Sequence, residues 1–276
     1  MIKHILVPTD GSDNAWKGVR YAIAVAKQYD AKLHGLHVVD VKLLEGPFLR
    51  DVSASLGTAP YANYQGNIAM ILEERGKAAL DSFREACEEA GVECDAEQVA
   101  GIVPRMIVEH SGLCDLVIMG RGGEHSQWLD GVLGSTTATV ARRATRPVLV
   151  TNTDAPKGNR FVIAYDGSKF AQRALQTAAN LAHQWNATLH VLAVSDKWGQ
   201  TWIDEARKYL EAHDTEVTYT AREGDPSEGI IGYLTEMDAD LLIMGAFGHS
   251  KVRELVVGST TAYALNHAPC PLLLVR

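Results

Sequence analysis

No apolar stretch of this chain approaches the roughly 20 residues that a membrane-crossing helix needs. The N-terminal run from Ile2 to Pro8 reaches Asp10 before a signal-type apolar core could form. No membrane partner is therefore expected, and the cytoplasm is the expected location. Cysteine is sparse: Cys87, Cys94, Cys114 and Cys270 are scattered, with no Cys-x-x-Cys pair and no histidine at zinc spacing, and they read as buried, reduced thiols. Basic runs are missing and the formal net charge is −8, so nothing in the sequence could track a phosphate backbone and no nucleic-acid partner is expected. Familiar catalytic signatures are absent too. There is no G-x-x-x-x-G-K-[ST] and no G-x-S-x-G, and Gly120-x-Gly122 opens a dinucleotide fingerprint whose third glycine position is His125. No catalytic residue and no metal-ligand set is assigned. With only nine prolines and 46% apolar residues in 276, the chain is neither disordered nor short of core-forming side chains.

What is present is a repeat. Sliding the sequence by 156 residues lays Ile5 to Ser12 on Phe161 to Ser168, Leu33-His34 on Leu189-His190, and Asp40 on Asp196. An offset of 124 lays Gly134-Ser135-Thr136-Thr137 on Gly258-Ser259-Thr260-Thr261 and Pro147 on Pro271, with Met119-Gly120 answering Met244-Gly245 one residue out of step. Within each copy short apolar runs alternate with segments of helical period, the pattern of a parallel sheet covered by helices. Strands are expected at 5–8, 33–39, 92–99 and 116–119, and at 161–164, 189–194, 216–221 and 241–244, each copy closing with a helix from the Gly-Ser-Thr and a last strand. Long helices are expected at 68–90 and 202–213, and shorter ones at 104–111 and 227–236. The expected fold is α/β, two doubly wound five-stranded units over 1–152 and 159–276, with polar 151–159 between them. Asp40 to Gly101 spans 61 positions but Asp196 to Gly224 only 28. The first copy thus carries 33 extra residues, expected as a loop at about 41–67 with apolar anchors, serving as a packing arm or as a lid or partner surface.

In such a sheet ligands bind beyond the C-terminal strand ends, where strand order reverses. Asp10 and Asp166 follow strand one; Gly120 and Gly245 end strand four. If those strands are neighbours, aspartate and glycine loop converge, and the carboxylate there accepts hydrogen bonds from a ribose or helps hold a cation. Glycines let a backbone approach an anion, and Ser135 or Ser259 at a helix start adds a hydroxyl to unpaired N–H groups. Each piece alone is first a turn residue; in order and twice, they point to a nucleotide site.

On these residues the chain resembles a tandem universal stress protein. ATP-binding members of that family share a G-x2-G-x9-G-[ST] loop after strand four and a strand-one aspartate. Gly245, Gly248, Gly258 and Ser259 match that spacing, whereas Gly120, Gly123, Gly134 and Ser135 match with one extra residue. The resemblance implies strand order 3-2-1-4-5, an adenine nucleotide alpha hydrolase-like fold, and pairing of the two fifth strands within the chain as a pseudo-dimer. It implies an adenine pocket at Pro8, Thr9, Asp10 and Val38, repeated at Ala164, Tyr165, Asp166 and Val194. Phosphates would rest on the glycine loops and Gly-Ser-Thr turns at Gly120, Gly123, Gly134, Ser135 and Thr136, and at Gly245, Gly248, Gly258, Ser259 and Thr260, with Met119 and Met244 also in the nucleotide site. The ligand expected is ATP, with AMP or ADP as variants and Mg2+ accompanying it, in a nucleotide-responsive regulator with a protein partner and a further homodimer in view. The alternatives are a slow ATPase or nucleotidyl-transfer enzyme acting through a metal on Asp10 or Asp166, and an interaction protein with degenerate pockets. Glu124 and Asp130 beside the first loop, with only Arg121 to offset them, against Lys251 and Arg253 with Glu254 beside the second, favour the second site for a polyphosphate. Against this, Tyr165 stands where the first copy has Thr9, either crowding the adenine pocket or stacking on the base.

Overall fold

The computed structural model describes residues 2–45, 61–123, 134–246 and 258–276. The first unit runs β1 (His4–Pro8), α1 (Asp13–Tyr29), β2 (Lys32–Asp40), α2 (Val41–Glu45), α3 (Tyr61–Ala90), β3 (Cys94–Gly101), α4 (Val103–His110), β4 (Leu116–Gly120), α5 (Ser135–Arg143) and β5 (Val148–Thr151). The second runs β6 (Arg160–Ala164), α6 (Lys169–Trp185), β7 (Thr188–Val194), α7 (Gly199–Leu210), β8 (Val217–Arg222), α8 (Pro226–Glu236), β9 (Leu241–Gly245), α9 (Ser259–His267) and β10 (Leu272–Val275).

One ten-stranded sheet results, in the order β3-β2-β1-β4-β5-β10-β9-β6-β7-β8. Within each unit the order is 3-2-1-4-5 and the pairing parallel; the units join antiparallel through β5 and β10, with Leu149 opposite Leu273. The residue choice follows position. β4 (LVIMG) and β10 (LLLV) are apolar almost throughout because helices cover both their faces. β3 and β8 lie at the two edges and alternate in exposure along their length, as half-solvated strands must.

Side chains pack in two layers. On one face Val19, Ala22 and Val25 of α1 join Phe83 of α3, Ala178 of α6 and Ile203 of α7. On the other, Ile107 of α4, Val140 of α5, Leu234 of α8 and Leu265 of α9 cover the opposite sheet surface. Each layer continues across the junction. The helices that follow strand one begin and end alike in the two units. Ser12 and Ser168 cap α1 and α6 by accepting from Ala15 N and Ala171 N, and Asp30 and Asn186 end them in the left-handed region at φ 49° and 48°. All four cysteines are free, and Cys87, Cys114 and Cys270 are buried as expected, whereas Cys94 on the edge strand β3 is only half-buried; burial pushes the Cys87 and Cys270 thiols up to about 12.

Two expectations change. The segment at 41–67 is not a loop throughout, since α2 takes its first five residues and α3 starts at Tyr61 rather than 68. The helix absorbs Gly66 at a cost of about 1 kcal/mol. Residues 46–60, with Gly46, Pro47, Phe48, Gly57 and Pro60, lie outside the described set. The helix expected at 202–213 begins at Gly199 and stops at Leu210.

Candidate functional site

β1 and β4 are parallel neighbours, and so are β6 and β9, which brings each aspartate beside its glycine strand end. In the first unit the crevice there is a cavity of about 300 Å3, at the lower end of small-molecule sites. All ten residues expected in this half line it: Pro8, Thr9, Asp10, Val38, Met119, Gly120, Gly123, Gly134, Ser135 and Thr136.

Strand register makes the apolar slot. Pro8 of β1 ends opposite Leu36, whereas β2 continues to Asp40 opposite Gly101 of β3. The residues His37 to Asp40 therefore overhang the stopped strand. Thr9 N donates to Leu36 O at 2.9 Å and the His37 ring Nδ1 meets Thr9 O at 2.9 Å, fixing the turn. Val103 and Ile107 of α4 supply apolar wall.

The polar end is built on Asp10 and the glycines. Asp10 Oδ1 accepts from Ser12 N at 3.0 Å and Ser12 Oγ at 2.6 Å, which orients the carboxylate. A Cβ on Gly123 would lie 2.4 Å from Asp10 Oδ2, and one on Gly134 3.1 Å from the Gly122 Cα. Only glycine lets loop and carboxylate come this close. α5 then starts at Gly134 with no side-chain cap, so its first-turn N–H groups face the cavity end without a capping oxygen. Gly120 seats the end of β4 against the start of α1, where a Cβ would lie 2.0 Å from Asn14 O.

Several lining residues carry no motif. Leu43 comes from α2, Leu72 and Arg75 from α3, and His37 and Asp40 from β2. Arg75 is the one cation among the cavity's described residues, against Asp10 and Asp40. The available signal was the stripe Leu72, Gly76, Ala79, Phe83 on α3. Gly76 abuts the His37 ring, Ala79 touches the Gly11 turn and Phe83 fills the space above Gly35; Arg75 stands one position off that stripe.

In the second unit Ala164 pairs with Met244, placing Asp166 beside Gly245. Asp166 Oδ1 accepts from Ser168 N at 3.0 Å, and a Cβ on Gly245 would press within 2.8 Å of Ala171 N. α9 begins at Gly258 without a side-chain cap, with Ser259 and Thr260 in its first turn. The Tyr165 ring turns away from the strand-end crevice into the core beneath α6 and α7, where its hydroxyl donates to Glu205 Oε1 at 2.7 Å. Burial first, then Glu205, raises its pKa. Val194 is buried at the end of β7, among the side chains of the opposite face. Trp202 of α7 covers the Gly167 turn, where the first unit has Ala79.

Gly248, His249, Lys251, Arg253 and Glu254 lie outside the described residues, as do Glu124, His125, Trp128 and Asp130. The charge comparison between the two loops lies outside with them. The paired strand-two histidines sit away from the cavity: His34 contacts Asp95 on β3, and His190 is buried with Nδ1 3.3 Å from the Tyr233 hydroxyl. Among the described residues no cluster of three His, Cys, Asp or Glu could hold a metal, and no helix is long and apolar enough to cross a membrane.

Comparison with known proteins agrees with this architecture. The model of the universal stress protein family matches residues 1–152, 158–218 and 200–276. A universal stress protein of Synechocystis sp. is 28% identical over the whole length of both chains. One from Methanocaldococcus jannaschii is 33% identical over 54% of this chain and 82% of its own. A crystal structure of a universal stress protein from Archaeoglobus fulgidus shares the fold, with a TM-score of 0.78 and 23% identity over 99% of this chain and 98% of that one.

Proposed function

The chain belongs to the universal stress protein family, and from that premise we propose that its first-unit crevice binds an adenine nucleotide, ATP foremost, and that occupancy is the signal this protein passes on. The observation that carries the reading is the meeting of Asp10, Gly123 and the side-chain-uncapped start of α5 in one cavity. An anion is favoured at a helix N-terminus, and the apolar overhang of β2 suits a flat base. In this reading Pro8, Thr9 and Val38 hold adenine, Asp10 holds the ribose, and Gly120, Gly123, Gly134, Ser135 and Thr136 receive the phosphates beside Met119. Mg2+ would come with the nucleotide, bound by its phosphates and at most one carboxylate, as this ion commonly is. The second unit is read as a second site of the same kind, through Ala164, Asp166, Met244, Gly245, Gly258, Ser259 and Thr260, with Gly248 assigned by spacing.

Calorimetry of the full chain with ATP, AMP and adenosine tests this. Saturable heat with ATP is expected, and Gly123→Val with Ser135→Ala should weaken one site at least tenfold, about 1.4 kcal/mol. No heat from any of the three at millimolar ligand, or two undiminished sites in the double variant, would overturn it.

A further inference from the structure

Two sulfur atoms that the nucleotide reading does not use meet at the end of α3. The helix stops in a Schellman turn: Gly91 takes φ 68°, its N–H donates to Glu88 O at 3.0 Å, and Val92 N donates to Cys87 O at 2.9 Å. Cys87 is thereby fixed on the last turn, inside the α1 and α3 layer, where it is 0% exposed. The chain then reverses into β3. The first residue of that strand, Cys94, is held in register opposite Leu33, whose N–H donates to Glu93 O at 2.9 Å. Asp95 and Glu97 face solvent, whereas Cys94 and Ala96 are half-buried against the same layer as Cys87. Seven residues apart in sequence, the two thiol groups are in hydrogen-bond contact.

The second unit shows that packing alone does not call for sulfur here. Leu189, the repeat mate of Leu33, pairs with Val217, and seven residues before Val217 stands Leu210, buried at the end of α7. One copy fills this joint with leucine and valine; the other has two thiols. Cys114 and Cys270 lie in the layer on the opposite face of the sheet. Accessibility divides the pair. Solvent reaches the half-buried Cys94, whereas burial, with Cys94 beside it, keeps the Cys87 thiol protonated and unreactive toward dissolved oxidants.

We propose that Cys87 and Cys94 form a reversible modification site, a dithiol that a peroxide converts into an internal disulfide. Cys94 Sγ, as the thiolate, attacks one peroxide oxygen. The O–O bond breaks, the departing hydroxide takes up the proton that the thiol released, and the sulfur is left as a sulfenic acid. Cys87 Sγ then attacks Cys94 Sγ: the S–S bond forms, the S–O bond breaks, and the oxygen leaves as water with the Cys87 proton. The two thiols lose two electrons between them and the peroxide is reduced to two waters. The product ties the end of α3, the helix that carries Arg75 to the first cavity, to the edge strand β3.

The test uses the full chain, treated with graded hydrogen peroxide, then denatured, alkylated, cut with trypsin and weighed by mass spectrometry. Cys87 and Cys94 fall in one peptide, residues 85–105, and Cys114 and Cys270 in others. That peptide should lose both alkyl groups and two hydrogens at peroxide doses that leave Cys114 and Cys270 alkylated, and dithiothreitol should restore it. Cys87→Ala should leave Cys94 as a sulfenic acid that dimedone traps, and Cys94→Ala should leave Cys87 fully alkylated. Full alkylation of both residues at doses that oxidise Cys114, conversion of Cys94 to sulfinic acid without the disulfide, or loss of Cys87 to peroxide in folded Cys94→Ala would each overturn the proposal.

Discussion

At Gly120 the strand-end glycine answers to packing before it answers to a ligand. A Cβ would lie 2.0 Å from a backbone oxygen of α1, and backbone cannot swing aside as a side chain can. Gly120→Ala should therefore cost about 3 kcal/mol through forced displacement, read as a fall in the urea midpoint. At Gly123 the obstacle is the end of the Asp10 side chain, which can rotate. Gly123→Ala should leave the midpoint nearly unchanged and lower ATP affinity instead; equal destabilisation by both would erase the distinction. His190 provides a pH signature. Burial, then nearby Arg160, holds its pKa below the ordinary 6.5, so the folded chain favours the neutral ring. The unfolded chain takes up the proton first. Stability from this site is complete above pH 6.5 and is lost as pH falls through the lower folded value, at no more than about 1.4 kcal/mol per pH unit. His190→Asn should flatten that limb of the stability profile; an unchanged limb would assign the acid sensitivity elsewhere.

Among elements, α3 separates the two units' crevices. It is 30 residues long and brings Leu72 and Arg75 to the first cavity, whereas α7, its counterpart, has 12 residues and lays Trp202 over the Gly167 turn. If ATP binds as proposed, Arg75 is the described cation able to offset its phosphates beside Asp10 and Asp40. Arg75→Ala should weaken ATP by about tenfold, with adenosine nearly unaffected; calorimetry with both ligands checks it, and equal loss would make the side chain's role one of packing. The physical reason such residues escape a sequence reading is visible here. Gly-x2-Gly and Asp-Gly-Ser announce themselves because backbone approach and capping restrict residue type locally. The choice of Arg75 depends on how α3 docks, which is set by Phe83 over Gly35 and Gly76 against His37, contacts far apart in the chain. Tyr165 teaches the same lesson from the other side. Adjacency to Asp166 suggests the crevice, but packing with Phe161 and Ile163 and the hydrogen bond to Glu205 hold its ring in the α6 and α7 layer.

For the whole molecule, strand order and the joint through 148–151 and 272–275 follow from the duplication and the family resemblance, because a repeated α/β unit with an exposed apolar fifth strand needs a partner for it. The structure adds how completely the units share their interior. Leu149 faces Leu273 across the junction, and both apolar layers contain side chains of both units. Arginine contacts reinforce this from each direction: Arg121 reaches Ala268 O at the end of α9, and Arg276 reaches Arg142 O near the end of α5. Each thereby puts a cation at a helix C-terminus of the other unit. A molecule joined this way should not melt unit by unit. Scanning calorimetry of the full chain should give one transition whose calorimetric and van't Hoff enthalpies agree. Leu273→Ala, at a residue 3% exposed, should remove about 3 kcal/mol and lower hydrogen-exchange protection in β1 and β4 as well as in β9 and β10. Two resolved transitions, or a loss of protection confined to the second unit, would mean that the shared layers do not couple the two halves.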